Sequence, residues 1–233
     1  RDYKIDLREA MQFSVNSAYV QLGMDVGLDK VEQSALDAGL LKGSLASSNY
    51  PSFSIGTSDP SAIRMAGAYG TFANSGQQTD PYSVDKVESK DGVVYRHEVK
   101  SKEAYSANVA NNVTDVLRTV VDKGTGTNAR LPGREVAGKT GTTDGNKSAW
   151  FVGYTGGFVT TVWVGKDDFN SLGRGEYGGK AALPIWIGYM QTALAGVPVV
   201  VPEVPAGIVT ASISPSSGRL MPEGSPGSIP EYF

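Results

Sequence analysis

Cysteine is absent from this 233-residue sequence, and histidine occurs once, as His97. Without cysteine the chain has no disulfide, no thiolate nucleophile and no cysteine-ligated zinc site. A single histidine also argues against a histidine-rich metal centre and against a triad in which histidine is the base. If the chain takes part in catalysis, we therefore expect lysine, carboxylate or tyrosine side chains to transfer the protons.

Neither a strong excess of one charge nor a long apolar run is present. Lysine and arginine total 21 while aspartate and glutamate total 24, and the net charge of −3 argues against a nucleic-acid-binding surface. The most apolar stretch, 183–201, is interrupted by Pro184, Gln191 and Pro198, so a buried helix followed by a strand fits it better than a membrane span. The sequence starts RDYKID, with neither methionine nor an apolar leader, and we expect it to be a piece of a longer protein.

Hydrophobic periodicity and turn residues predict helical segments that are followed by extended ones. Helices are predicted at 5–13, 14–27, 28–39, 60–75, 101–124 and 178–194. Strands are predicted at 134–140, 148–155 and 158–168, with a hairpin around 89–92 and a possible strand at 207–214. Gly156-Gly157 is typical of a tight antiparallel turn between the last two main strands.

This order of elements predicts an α+β fold, in which an antiparallel sheet is covered by helices on both faces. The predicted domain extends over 1–196 and is followed by a segment rich in proline, glycine and serine at 197–233. Four large aromatic side chains are predicted to lie in the core. They are Trp150, Phe151, Trp163 and Trp186.

The octapeptide GREVAGKT, 133–140, satisfies the pattern Gly-x-x-x-x-Gly-Lys-[Ser/Thr] of a phosphate-binding loop. Such a loop needs a buried strand before it and a helix whose N-terminus faces the phosphates after it. Here the preceding residues are polar and broken by glycine and proline, and Gly141 and Gly145 occupy what would be the first helical turns. Each glycine would cost a helix roughly 1 kcal/mol relative to alanine. A nucleotide-binding protein is therefore a remote alternative.

The residues Lys139, Thr140, Gly141 and Thr142 allow a second interpretation, as a strand that lines a cleft. The ammonium of Lys139 offers charge for a carboxylate or for proton transfer, and the two threonines offer hydroxyls to the same carboxylate. Gly141 has no side chain, so an extended peptide can approach and add to the strand edge. Together these groups form a receptor for the C-terminus of a peptide. The simpler alternative is a surface strand whose lysine is solvated.

Ser-x-Asn tripeptides occur three times, at 14–16, 47–49 and 106–108. The third falls in a predicted helix and the second in a polar loop, whereas Ser14 and Asn16 lie at a helix–helix junction, where either side chain could also cap the second helix. Ser-x-Asn and Lys-Thr-Gly, with five longer strings in the same order along the chain, resemble the transpeptidase domain of class A, bifunctional penicillin-binding proteins. The strings are REAMQFSVNSAYVQLG, IGTSDPSAIRMAGAYGTFANSG, VVDKGTGTNARLPGREVAGKTGTTDGNKSAWFVGYT, TTVWVGKDD and GGKAALPIW.

The resemblance implies the fold of penicillin-binding proteins and serine β-lactamases, and a serine-type D,D-transpeptidase. Such an enzyme would cross-link peptidoglycan stem peptides that end in D-Ala-D-Ala and would be acylated by β-lactams. No cofactor, metal ion or nucleic acid is implied. The domain would lie on the extracytoplasmic face of the bacterial cytoplasmic membrane, anchored by a segment absent from this chain.

Site residues follow from the same resemblance. Ser14 would relay protons to the leaving amine, Asn16 would bind the substrate amide, and Lys139 would keep this network charged. Thr140 and Thr142 would bind the substrate carboxylate beside Gly141, and the N–H group of Thr142 would be one donor of the oxyanion hole.

One motif of the resembling family, the nucleophilic Ser-x-x-Lys, has no suitable match. The formal match Ser83-Val84-Asp85-Lys86 falls in the predicted hairpin strand, where residues i and i+3 point to opposite faces. We therefore expect the nucleophile on a segment N-terminal to this chain. The alternative is a catalytically silent domain that senses or binds β-lactams.

Overall fold

A three-stranded antiparallel sheet in the order β5-β6-β7 forms the centre of the computed structural model, which describes residues 5–200 and 205–232. The α-helices are α1 Leu7–Gln12, α2 Asn16–Val26, α3 Leu28–Asp37, α4 Ala62–Ala73, α5 Ala107–Lys123 and α6 Leu183–Ala193. The strands are β1 Gln77–Thr79, β2 Lys86–Ser89, β3 Gly92–Arg96, β4 Ser101–Glu103, β5 Ala137–Thr142, β6 Ser148–Thr155, β7 Phe158–Gly165, β8 Thr210–Ile213 and β9 Ile229–Tyr232. A single π-helical turn, Gly178–Ala182, leads directly into α6.

The two faces of the sheet are covered by different helices. Phe151 of β6 lies on one face, where it packs with Trp186 and Met190 of α6 in a cluster of fully buried side chains. Tyr154, three residues later, lies on the opposite face with Leu117 of α5 and with Tyr69 of α4. Because side chains alternate along a strand, β6 contributes to both cores at once. The predicted α+β fold, with helices on both faces of an antiparallel sheet, is confirmed.

Several predicted boundaries are wrong by part of an element. The long helix begins at Ala107 with Ser106 as its N-cap, and the preceding residues 101–103 form the exposed strand β4. Helix α4 begins at Ala62, because the hydroxyl of Ser61 accepts from the Arg64 N–H and caps it. Pro60 thus lies before the helix. In each case a serine hydroxyl caps the helix and fixes where it begins. The spacing of hydrophobic residues does not show this cap.

The C-terminal residues form a small antiparallel pair in which β8 lies beside β9. Strand β8 falls within the predicted range 207–214, while residues 201–204 and 233 of the predicted segment lie outside the described residues. The division of the chain at 196 stays a prediction. No helix within 5–200 and 205–232 combines the length and apolar character that a membrane crossing requires.

Candidate active site

Helix α1 ends in a Schellman motif that puts Ser14 in an unusual conformation. The N–H of Val15 donates to the carbonyl of Ala10, and the N–H of Ser14 donates to that of Met11. This closure requires the left-handed region at Ser14, whose φ is 57°. Glycine is the usual residue there, and a side chain costs on the order of 1 kcal/mol. The prediction that Ser14 or Asn16 caps α2 is wrong, since Val15 is the N-cap and no side chain bonds to it.

The end of α1 is fastened to the end of α5. The carbonyl of Gln12 accepts from the N–H of Thr125 at 3.1 Å, and the amide of Gln12 donates to the carbonyl of Lys123 at 3.1 Å. At Gly124 the two backbones approach so closely that a side chain would collide with Gln12. These contacts bring Ser14 and Thr125 to the same edge of β5.

A second fastening of α1 is ionic. Arg8 donates to the carboxylate of Asp115 on α5 at 2.6 Å and to the carboxylate of Glu231 on β9. All three side chains are mostly buried, so solvent screens this network less than it screens surface pairs. The network therefore helps to fix α1, and with it the position of Ser14.

Lys139 projects from the middle of β5 toward that junction. Its Nζ donates to Ser14 Oγ at 2.8 Å and to the carbonyl of its neighbour Thr140 at 2.9 Å. Burial of the ammonium lowers the pKa of Lys139 from its ordinary value of 10.5 to about 8. Lysine and serine thus meet although 125 positions separate them in the sequence. The surface-strand interpretation with a solvated lysine is wrong.

The two threonines of β5 lie on the sheet face opposite to Lys139, as strand alternation requires. Thr140 is buried, and its Oγ1 shares a hydrogen bond of 2.7 Å with Oγ1 of Thr125. Thr142 is exposed, and its Oγ1 accepts from the N–H of Gly178 at 3.0 Å. Both hydroxyls are thereby oriented by groups outside the strand.

The side chains of Lys139 and of the two threonines point in opposite directions, but they lie along the same free strand edge. Among the described strands, β5 pairs with β6 alone, so its other edge is open. The side chain of Lys139 projects from one face of the strand at this edge, and the side chains of Thr140 and Thr142 project from the other face. Residues on both sides line one hollow, which we call the edge pocket. Its lining comprises Ser14, Asn16, Thr125, Thr140, Thr142, Tyr177 and Gly179.

A second hollow, which we call the groove, adjoins the opposite side of Lys139 and Gly141. It holds about 370 Å³ and is mainly apolar. Its lining includes Val31, Leu40, Phe53, Tyr69, Trp150 and Val152. A side chain at Gly141 would lie 3.1 Å from Cβ of Trp150, so a larger residue there would crowd this wall of the groove. The groove is wide enough for apolar side chains of a further segment.

The structure rules out three alternative interpretations of sequence motifs. Lys139 lies within a strand that continues to Thr142, and Gly133 lies in a turn with φ 72°. The strand is followed by a three-residue 3-10 turn, Asp144–Asn146, where a phosphate-binding loop needs an α-helix, so the phosphate-loop interpretation is wrong. Ser83 precedes β2 rather than lying in it, and Lys86 pairs with Glu88 at 2.9 Å, so these two form no nucleophile–base pair. Ser106 is used as a helix cap.

Sequence reasoning missed Thr125, Tyr177 and Gly178. The polar stretch after α5 contains Thr-Gly-Thr at 125–127, which offers the same hydroxyls as β5, but its sequence does not show that it lies beside that strand. Tyr177 lies just before the predicted closing helix, and Gly178 is the first residue of that helix. Their role depends on the π-helical turn, and no sequence signal identifies that turn.

Gly178→Ala is expected to lower the free energy of unfolding by about 1–3 kcal/mol. A methyl group there would lie closer than 3.0 Å to the backbone carbonyl oxygens of Gly141 and Trp150, which the sheet holds fixed. Urea unfolding measures the change. Gly188→Ala on α6 is the matched control, because nothing lies within 4 Å of it and the helix should gain roughly 0.5–1 kcal/mol. Equal stability of both variants would contradict the close approach.

Comparison with known proteins gives one consistent result. The sequence matches the model of the penicillin binding protein transpeptidase domain over residues 1–186. Penicillin-binding protein 1A of Pseudomonas aeruginosa is 33% identical, over 98% of this chain and 34% of that protein. The chain spans about a third of the length of the curated relatives that it matches.

Solved structures agree with the sequence match. Penicillin-binding protein 1A from Haemophilus influenzae superposes with a TM-score of 0.89 at 26% identity, over 98% of this chain and 40% of that one. PonA1 from Mycobacterium tuberculosis, solved in complex with penicillin V, superposes with a TM-score of 0.76 at 30% identity, over 86% of this chain and 59% of that one.

Proposed function

This chain belongs to the penicillin-binding protein transpeptidase family, and from that premise we propose that it is part of a serine-type D,D-transpeptidase. The enzyme would join peptidoglycan stem peptides, with a D-Ala-D-Ala peptide as donor, and would be acylated by β-lactams. One observation carries the proposal: Lys139 Nζ lies 2.8 Å from Ser14 Oγ beside two oriented threonine hydroxyls at an open strand edge.

Ser14, Asn16 and Lys139 are assigned the proton transfers and the donor amide. With its pKa lowered to about 8, Lys139 can hold or release a proton near neutral pH, which suits general acid–base catalysis. Ser14 Oγ stands between this amine and the edge pocket, so it can pass a proton to a leaving nitrogen there. The side chain of Asn16 lines the same pocket and has no hydrogen-bond partner among the described residues, which leaves its amide free for substrate.

Thr140, Gly141 and Thr142 are assigned the substrate's backbone and carboxylate. The open edge of β5 can pair with an extended peptide by main-chain hydrogen bonds, as a further strand would. The hydroxyl of Thr142 accepts from Gly178, so its own proton remains available for a carboxylate oxygen. Pairing along β5 would also bring a carbonyl of the substrate near the N–H of Thr142, the proposed oxyanion donor.

The nucleophile is assigned to a segment outside these 233 residues. The groove beside Lys139 is apolar and open, and a buried helix carrying Ser-x-x-Lys would fill it while presenting its serine to the edge pocket. Filling the groove would also bury the partly exposed Trp150 further. Peptidoglycan lies outside the cytoplasmic membrane, so the proposed activity places the domain on the extracytoplasmic face, with its anchor in another segment.

The test is covalent labelling with fluorescent penicillin, using this chain joined to its natural upstream segment. We expect one adduct per molecule, mapped by peptide mass analysis to an upstream serine and blocked by unlabelled penicillin. Absence of any adduct would rule out both acylating functions. An adduct without transfer of a stem-peptide donor to an amine acceptor would identify a catalytically silent β-lactam-binding domain instead.

Thr125→Val is expected to slow penicillin acylation of this joined protein about 5–10-fold, the effect of losing one hydrogen bond worth about 1 kcal/mol. Valine keeps the shape of threonine but leaves the hydroxyl of Thr140 without its 2.7 Å partner. Stopped-flow fluorescence measures the rate. Thr119→Val on α5 is the control, since its hydroxyl bonds only to the local carbonyl of Val116. Equal rates for both variants would show that Thr125 does not orient Thr140.

A further inference from the structure

Ser14 has the geometry of a nucleophile as well as that of a relay. Its Oγ is exposed at the edge pocket and lies 2.8 Å from Lys139 Nζ. The Schellman closure holds its backbone at φ 57°, which keeps the hydroxyl directed at the lysine. A serine in this conformation is less stable than a glycine by on the order of 1 kcal/mol, so its presence indicates a use for the hydroxyl.

The surroundings of Lys139 favour its neutral amine. No aspartate, glutamate, arginine or second lysine is among the described residues that line the edge pocket and the groove. The other titratable side chains in those linings are Tyr69 and Tyr177, and burial raises the pKa of Tyr69 to about 12. No neighbouring carboxylate therefore holds the proton on Lys139. Once neutral, its Nζ can accept the Ser14 proton along the existing 2.8 Å contact.

Groups that stabilise negative charge flank the same hydroxyl. Helix α2 begins at Asn16, two residues after Ser14, and no side chain caps the N–H groups of its first turn. The positive end of the helix dipole favours an oxyanion there. The unpartnered amide of Asn16 in the edge pocket offers a further donor.

We propose that Ser14 is itself an acyl acceptor in this chain, and that neutral aryl esters of small carboxylic acids acylate it with Lys139 as the base. Ser14 Oγ forms a bond to the acyl carbon, and its proton moves to Lys139 Nζ. The bond from the acyl carbon to the aryl oxygen breaks, and the phenolate leaves with the electron pair. Lys139 then returns its proton to solvent. This reaction needs no upstream serine and is independent of the proposed transpeptidase function.

The experiment treats the 233-residue chain with p-nitrophenyl acetate. We expect a stoichiometric burst of p-nitrophenolate and one acetyl group on Ser14, located by peptide mass analysis. The burst rate should rise with pH through a midpoint near 8, where Lys139 loses its proton. Lys139→Met should slow acetylation of Ser14 by at least about 100-fold.

Two variants separate chemistry from folding. Ser14→Gly removes the hydroxyl and suits the left-handed conformation, so the protein should unfold at a slightly higher temperature and carry no acetyl group at position 14. Ser83→Ala, at a serine that lines neither the groove nor the edge pocket, should react like the parent. An unmodified Ser14, or a rate unchanged in Lys139→Met, would overturn the proposal. Neither result would bear on penicillin labelling of the joined protein, which tests the transpeptidase function separately.

Discussion

Lys139→Met in the protein joined to its upstream segment is expected to lower the rate of penicillin acylation by about 10²–10⁴-fold, the usual range for losing a positioned acid–base group. Methionine fills nearly the same volume but cannot donate to Ser14 Oγ at 2.8 Å or exchange a proton with it. Stopped-flow labelling with fluorescent penicillin measures the rate. Lys147→Met, just before β6, is the control for loss of a positive charge, because Lys147 lines neither the groove nor the edge pocket.

The same substitution is expected to stabilise the fold near neutral pH. The fall in the pKa of Lys139 from 10.5 to about 8 corresponds to about 3 kcal/mol of unfavourable burial at pH below 8. Between pH 8 and 10.5 the unfolded chain binds more protons at this residue than the folded chain does, so the parent gains stability as pH rises through that window. Lys139→Met should lack this gain, and the advantage of the variant over the parent should shrink accordingly.

Urea unfolding of the parent and of Lys139→Met at several pH values tests whether the variant is the more stable protein and whether the difference shrinks as pH rises. Subtracting the two curves removes the titration of the other lysines and tyrosines, provided that they respond equally in both proteins. A variant that is less stable than the parent at pH 7 would contradict the burial argument. It would mean that the hydrogen bonds from Lys139 to Ser14 and Thr140 stabilise the fold by more than desolvation of the ammonium destabilises it.

Local pattern in the sequence predicts the sheet and its strand with Lys139, but it does not predict what meets that lysine. Hydrophobic periodicity and the turn residues Gly156-Gly157 predict the three main strands, and both signals act within a few residues. The contact of Lys139 with Ser14 depends on the Schellman motif and on the bonds of Gln12 to the end of α5. Because these contacts are remote in sequence, the periodicity of either segment carries no record of them.

The prediction of which residues lie in the core is limited in the same way. Trp186 is fully buried, as predicted, whereas Trp163 is 42% exposed, so its predicted place in the core is wrong. Both residues lie in strongly apolar segments, but Trp163 points to a side of β7 where its ring lies beside Trp150, at 6.2 Å between ring centres, and stays partly open to solvent. Alternation in a strand identifies two faces. Which part of a face a helix covers is decided by elements elsewhere in the chain.

Trp186→Ala is expected to lower the free energy of unfolding by about 3–5 kcal/mol, the largest stability change that we expect from one substitution in this chain. The indole is fully buried on α6, packs edge-on against Phe151 at 5.1 Å between ring centres, and donates from Nε1 to the carbonyl of Thr160 at 3.1 Å. Urea unfolding measures the loss. Tyr189→Ala on the same helix is the control, because that side chain is 55% exposed and its loss should have a small effect.

The cavity left by Trp186→Ala has a defined neighbour, which permits a sharper test. A side chain at Gly153 on β6 would lie 2.9 Å from the indole, so Gly153→Ala alone should be destabilising. In the Trp186→Ala background that methyl group enters the vacated space, although Phe151 still limits it on the other side. The double variant should therefore be more stable than the sum of the single changes predicts, because residues in contact do not act additively. Strict additivity would show that the sheet and α6 adjust independently. In that case Trp186 would not be the residue that holds α6 against the sheet. Nor would it hold the preceding π-helical turn, whose Gly178 N–H bonds to Thr142.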